Sequence, residues 1–67
     1  MKKPKKKMTE LRRVRVNQNL TQKEVAEALD ITAEYLSLIE LEKRTPSLEL
    51  AIKLAKFYEV SLDHIFM

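Results

Sequence analysis

The sequence predicts an all-α fold of five short helices, and three observations predict it. A Ser or Thr stands ahead of five separate segments, at Thr9, Thr21, Thr32, Ser47 and Ser61. A hydroxyl at such a place accepts a hydrogen bond from the first free N–H groups of a helix and so marks its start. Each segment then repeats apolar residues at three- and four-residue intervals, the spacing of one helix face. No stretch carries the pattern of a strand.

The elements follow in order. Thr9 opens a helix over about 9–17, with Leu11 and Val14 facing inward. Thr21 and Glu24 have the spacing of a full capping box and open the second, over 22–29, with Val25, Ala26 and Leu29 inward. Thr32 opens the third, over 33–41, which buries Leu36 and Ile39. Ser47 opens the fourth, over 48–58, where Leu48, Ala51, Leu54, Ala55 and Tyr58 keep the helical spacing. Ser61 opens the last, over 62–66, and Leu62, Ile65 and Phe66 close the core. The turns are unusual because the chain has no Gly. Asn19, Asp30, Glu42 and Glu59 fall near the ends of the first four helices, where a residue at positive φ commonly closes the last turn. Asn and Asp tolerate that conformation better than Glu does. Either these ends close without a left-handed residue, or roughly 1 kcal/mol of strain is held at Glu42 and Glu59.

Size and composition narrow the function. Sixty-seven residues make one small domain, which on folding buries only about 60% of the surface of its unfolded chain. A roomy catalytic cleft does not fit within it. The absence of Cys excludes disulfides and thiolate metal sites, and suits a reducing compartment such as the cytoplasm. The single His64 reads as a surface residue and excludes a His-based metal cluster, so no metal or cofactor is expected. There is no nucleophile–base set, no carboxylate pair with a cleft and no phosphate loop, so the chain does not read as an enzyme. The apolar runs stop at two or three residues, as at Leu38-Ile39, too short to span a membrane. The Lys-rich start is not followed by the apolar stretch of a secretion signal.

The net charge of +3 is unevenly placed. Residues 1–7, MKKPKKK, hold five of the 13 Lys and Arg and no acid, which leaves eight basic residues against 10 Asp and Glu in the remainder. The body therefore stands at −2. Lys2, Lys3, Lys5, Lys6 and Lys7, interrupted by Pro4, predict a disordered arm over 1–7 ahead of a folded domain over 8–67. A basic arm points to a polyanionic partner; the plainer reading is a solubilising terminus.

The informative distances lie within residues 22–41. Gln22 opens a short helix, and Ala26 is small where a second helix must cross closely. Asp30 sits in a turn of three to four residues, Ile31 plugs the corner, and Leu36 and Ile39 bury the next helix against the first. This describes two helices at a steep angle, of which the second protrudes and can lie in the major groove.

With these residues in place, the chain resembles the phage repressor/Cro, or XRE-type, helix-turn-helix family, from about Leu11 to Phe66. The segments that carry the resemblance are LRRVRVNQNLTQKEVAEAL, YLSLIELEKRTPSLELAIKLAK and VSLDHIF, in register. The resemblance implies a five-helix, lambda-repressor-like domain that binds operator DNA as a homodimer and regulates transcription, as a repressor in a bacterial or phage-encoded setting. It further implies that Gln22 bonds a DNA phosphate and braces the reading helix. Arg15 and Glu40 match an ion pair between the first and third helices, and Lys43 and Arg44 match phosphate-touching residues in the following loop. Thr32, Ala33, Glu34, Ser37 and Leu38 match the positions that face bases. The chain departs from the family there, for Arg, Gln, Ser and Lys are the frequent choices, and it has Leu41-Glu42 where the family has Asn-Gly.

Two readings compete for the outward face of the third helix. Ala33 or Leu38 can contact thymine methyl groups, Glu34 can accept from cytosine, and Thr32 or Ser37 can reach either type of edge. Yet Glu34 and Glu42 repel phosphate, so affinity must come from the arm together with Lys43 and Arg44. The other reading is a protein-interaction module, an antidote or antirepressor, that uses Leu38 and Leu41 as an apolar contact, unless Leu41 turns under the following loop. The apolar end of the chain, through Phe57, Ile65, Phe66 and Met67, is the expected dimer seam; Phe57 covers the core in the plainer reading.

Overall fold

Hydroxyl caps start every helix of the computed structural model, which describes residues 9–66. The elements are α1 (Glu10–Asn17), α2 (Gln22–Leu29), α3 (Ala33–Glu40), α4 (Leu48–Tyr58) and α5 (Leu62–Phe66). Thr9, Thr21, Thr32, Ser47 and Ser61 each accept from the backbone N–H three residues on. At α2 the capping box is complete, because Glu24 accepts in return from the Thr21 N–H at 2.9 Å. The expected all-α class and the five helices are present, and there is no strand among the described residues. The proposed arm over 1–7 lies outside them, as does Met67.

The helix ends resolve the question left by the lack of Gly. Asn19, Asp30, Glu42 and Glu59 all take positive φ, between 59° and 62°. Glu59 closes α4 in the left-handed region (φ 61°, ψ 44°), and its N–H and that of Val60 return to the carbonyls of α4. The strained alternative is the one adopted: two β-carbon-bearing Glu residues occupy a region where such a residue costs roughly 1–2 kcal/mol.

The core takes Leu11 and Val14 from α1, Val25 and Ala26 from α2, and Leu36 and Ile39 from α3. From α4 come Leu50, Ala51, Leu54, Ala55 and Tyr58, and from α5 Ile65. Leu29, Leu62 and Phe66 pack against this cluster while remaining half-buried. Leu48 departs from expectation: it is 69% exposed, and Leu50 is buried in its place. At 3.6 residues per turn the buried stripe runs through Leu50, Leu54 and Tyr58, and Leu48, the first residue of the helix, lies roughly a third of a turn from its centre.

Candidate nucleic-acid interface

The α2–α3 pair is built by three small facts of the sequence. Ala26, 2% exposed, has no side chain beyond a methyl and lets α3 approach α2 closely. Asp30 reverses the chain in the left-handed region, which a short polar side chain tolerates. The Ile31 N–H then donates to the Ala26 carbonyl at 2.9 Å, closing the corner, and Ile31 packs against the core. On α3, Leu36, Ile39 and Glu40 turn inward. Thr32 and Glu34 are exposed, and Ala33, Ser37 and Leu38 are half-buried. The five expected base-facing residues are therefore all at least partly accessible, and they include one carboxylate and no cation. Leu41 caps α3 and remains 52% exposed; the following loop does not cover it.

Behind this surface lies a buried polar network. Arg15 donates from Nε to Glu40 at 2.7 Å and from Nη2 to its other oxygen at 3.1 Å, a two-pronged pair between α1 and α3. The Arg15 and Glu40 side chains are only 10% and 1% exposed. Arg15 Nη1 also donates to the Leu20 carbonyl at 2.8 Å, which ties down the turn between α1 and α2. Gln22 adds a third donor to the same carboxylate, from Nε2 at 3.0 Å. An amide nitrogen has two N–H groups, so one remains for an outside acceptor, on the first residue of α2. Tyr58 sits against this network. Burial, and secondarily the Glu40 charge, push its hydroxyl up to about 12, and Arg15 partly opposes the rise. Among the described residues that hydroxyl has no hydrogen-bond partner.

The loop after α3 turns back on the helix. Glu42 takes φ 62°, and the Lys43 and Arg44 N–H groups both donate to the Leu38 carbonyl, at 2.9 and 3.3 Å. Lys43 and Arg44 are exposed. The Arg44 guanidinium carbon lies 5.7 Å from the centre of the Tyr35 ring. Reading the sequence alone passes over Tyr35, although an aromatic residue nine positions before an Arg across a tight turn is a usable signal. It also passes over the link from Gln22 to Glu40.

The expected dimer residues separate. Ile65 is 7% exposed and belongs to the core, because the same spacing that makes it apolar on α5 turns it toward α1 and α4; it is unavailable to a partner. Phe57 and Phe66 are half-buried. Phe66 instead lines an apolar groove with Pro46, Leu48, Ala51 and Leu62. Ile52, one turn after Leu48, is 39% exposed. Lys2, Lys3, Lys5, Lys6, Lys7 and Met67 lie outside the described residues. No group of metal-binding side chains occurs among the described residues, and no helix there is long and apolar enough to cross a membrane.

A family model described as helix-turn-helix matches residues 11–65. An uncharacterised helix-turn-helix-type transcriptional regulator of Methanocaldococcus jannaschii is 40% identical over 57 residues, which cover 85% of this chain and 86% of the relative. Two uncharacterised regulators of the same type from Archaeoglobus fulgidus are 32% and 30% identical over 59 residues, covering 88% of this chain and 83% and 84% of the relatives. These relatives are archaeal, so they lend no support to a bacterial or phage origin. No solved structure matches the chain.

Proposed function

The chain belongs to the XRE-type helix-turn-helix family, and on that premise we propose that it is a cytoplasmic, sequence-specific DNA-binding transcriptional regulator whose α3 enters the major groove. The observation that carries this reading is the α2–α3 pair. A small crossing residue and a left-handed turn set the two helices so that α3 keeps an uncovered outer face. Thr32, Ala33, Glu34, Ser37 and Leu38 then face bases, through thymine methyls, a cytosine amino group and adaptable hydroxyls. Gln22, Lys43 and Arg44 hold phosphate. The Lys residues of the arm over 1–7 supply the remaining neutralisation that a body at −2 lacks. The domain over 8–67 reads one half-site. A homodimer places two copies of α3 about 34 Å apart on a two-fold operator. Its seam runs through Phe57, Phe66 and Met67, with Leu48 and Ile52 replacing the buried Ile65. Repression follows where such an operator overlaps a promoter.

The names carried by the archaeal relatives agree with this reading. The test is electrophoretic binding of the full chain to the DNA upstream of its own gene, beside a scrambled duplex of equal length. A shift that favours the upstream DNA, with a preference that Ser37→Arg narrows, supports the reading; equal, weak binding to both duplexes removes it. One observation favours a second reading, a protein-interaction module of the antidote or antirepressor kind. Leu41 is exposed at the end of α3 next to half-buried Leu38. Such a module would bind neither duplex.

A further inference from the structure

Arg44 stands out among the candidate phosphate contacts because its guanidinium lies over an aromatic ring. The loop that carries it is pinned, because two successive N–H groups return to the Leu38 carbonyl. Its guanidinium lies over the ring of Tyr35, 5.7 Å from the centroid. Tyr35 is itself held, half-buried in the first turn of α3 and lining a groove with Leu29, Ile31 and Leu50. Arg44 makes no ion pair and no side-chain hydrogen bond among the described residues, so all its N–H donors face an outside acceptor. An exposed Arg ordinarily loses rotamer freedom when it grips a ligand. A ring already beneath it lowers that loss, and a guanidinium is attracted to the ring face. Among the described residues Lys43, its neighbour, has no such platform.

We propose that Tyr35 is a positioning residue: its ring holds the Arg44 guanidinium ready at the end of the reading helix as a clamp for one DNA phosphate. The planar fork of Arg grips phosphate in a fixed orientation, so fixing its place helps set the register of α3 on the duplex. This inference rests on the DNA-binding reading above. It adds a residue that itself need touch neither base nor phosphate.

The experiment uses the full chain, a mixed-sequence DNA duplex and fluorescence anisotropy over a salt series, with thermal melts of each variant. Tyr35→Phe keeps the ring and is expected to bind like the parent. Tyr35→Leu is expected to weaken binding roughly two- to five-fold, the equivalent of a cation–π contact at an exposed site, at an unchanged salt slope. Arg44→Ala is expected to weaken binding and lower the log–log salt slope by about one. Adding Tyr35→Leu to Arg44→Ala should change nothing further. Arg44→Lys leaves α3 untouched and keeps the charge, so it should retain the slope while losing much of the same factor; it serves if Tyr35→Leu melts too low to assay. In the free protein, the Arg44 side-chain proton resonances should be displaced by the ring, and the displacement should vanish in Tyr35→Leu and persist in Tyr35→Phe. Equal losses from Tyr35→Leu with and without Arg44 would show that Tyr35 only packs α3, and equal losses from Phe and Leu would assign the effect to the hydroxyl; either overturns the proposal. An undisplaced Arg44 in a parent that binds DNA overturns it alone, whereas a parent that binds no duplex overturns it together with the DNA-binding reading.

Discussion

Glu40→Ala tests whether the buried network holds the reading helix in place. The substitution removes the acceptor of three hydrogen bonds, two from Arg15 and one from Gln22. Arg15 keeps only its bond to the Leu20 carbonyl and is left charged in a side chain 10% exposed. Removing one partner of a buried ion pair costs about 3–5 kcal/mol, because the other charge stays buried and unpaired. The lower end applies, about 3 kcal/mol, since Arg15 retains one carbonyl and some access to water. A domain of this length holds roughly 3–10 kcal/mol in all, so between a third and all of its stability is at stake. At about 4–8 °C per kcal/mol for small domains, the melting temperature should fall by roughly 12–24 °C. Urea unfolding followed by circular dichroism should show the midpoint falling at constant slope. The double variant Arg15→Met/Glu40→Leu removes both charges and should recover most of the loss, since apolar replacement of a buried pair is often neutral or better. An unchanged midpoint in Glu40→Ala would refute the argument outright. A double variant no better than the single one would show that lost packing, not an orphaned charge, sets the magnitude.

Four further outcomes are expected. Tyr58→Phe removes a buried hydroxyl that has no hydrogen-bond partner among the described residues and should stabilise the domain at neutral pH by about 1 kcal/mol in thermal melts. In the parent that hydroxyl titrates near 12, against 10.0 in the unfolded chain. The native state then holds the proton longer, so Tyr58's contribution is intact below pH 10, is lost between pH 10 and about 12, and is missing from the Tyr58→Phe pH profile. Glu59→Gly relieves the left-handed cap of α4 and should raise stability by up to about 1 kcal/mol in urea unfolding, whereas Glu59→Val should lower it. Leu48→Lys and Ile52→Lys should shift sedimentation toward monomer without lowering the melting temperature, because both side chains are exposed; a parent already monomeric at hundreds of micromolar removes the dimer. Deleting residues 1–7 should weaken binding to specific and scrambled duplexes together and lower the salt slope by roughly three to five, while Glu34→Gln should change the preferred sequence at nearly constant slope.

The sequence was most legible where a local rule and the packing agree. The five caps are short-range hydrogen bonds between a hydroxyl and an N–H three residues away, so they could be read without knowing what lies next to them. The left-handed residues were placed by position, yet that Glu42 and Glu59 adopt this conformation runs against local propensity, which disfavours it for Glu. Leu48 failed because helical periodicity supplies a face but does not say which residue at its edge is covered. Ile65 drew two readings, core and seam, and burial against α1 and α4 selects the first. The network around Glu40 was half visible. The family resemblance supplied the pairing of Arg15 with Glu40 and a bracing role for Gln22, whereas Glu40 as the acceptor of that brace follows from the crossing geometry of α2 and α3.

That bond bears on how an acidic reading helix can serve DNA. Gln22 stands at the start of α2 and Glu40 at the end of α3, so one carboxylate ties together the start of one helix, the end of the other and, through Arg15, the end of α1. Arg44 adds a second fixed donor beyond the end of α3, held over the first turn by Tyr35. In the proposed complex the phosphate contacts are thus attached to the rigid frame, and the outer face of α3 is left with small, hydroxyl, apolar and acidic groups. A face without Lys or Arg adds little sequence-independent attraction. Discrimination then rests on the few base edges that Glu34, Ser37 and Leu38 accept, and on the penalty when a carboxylate meets an acceptor instead of a donor. A cation introduced on this face should therefore raise affinity for every duplex while narrowing the gap between the operator and the rest.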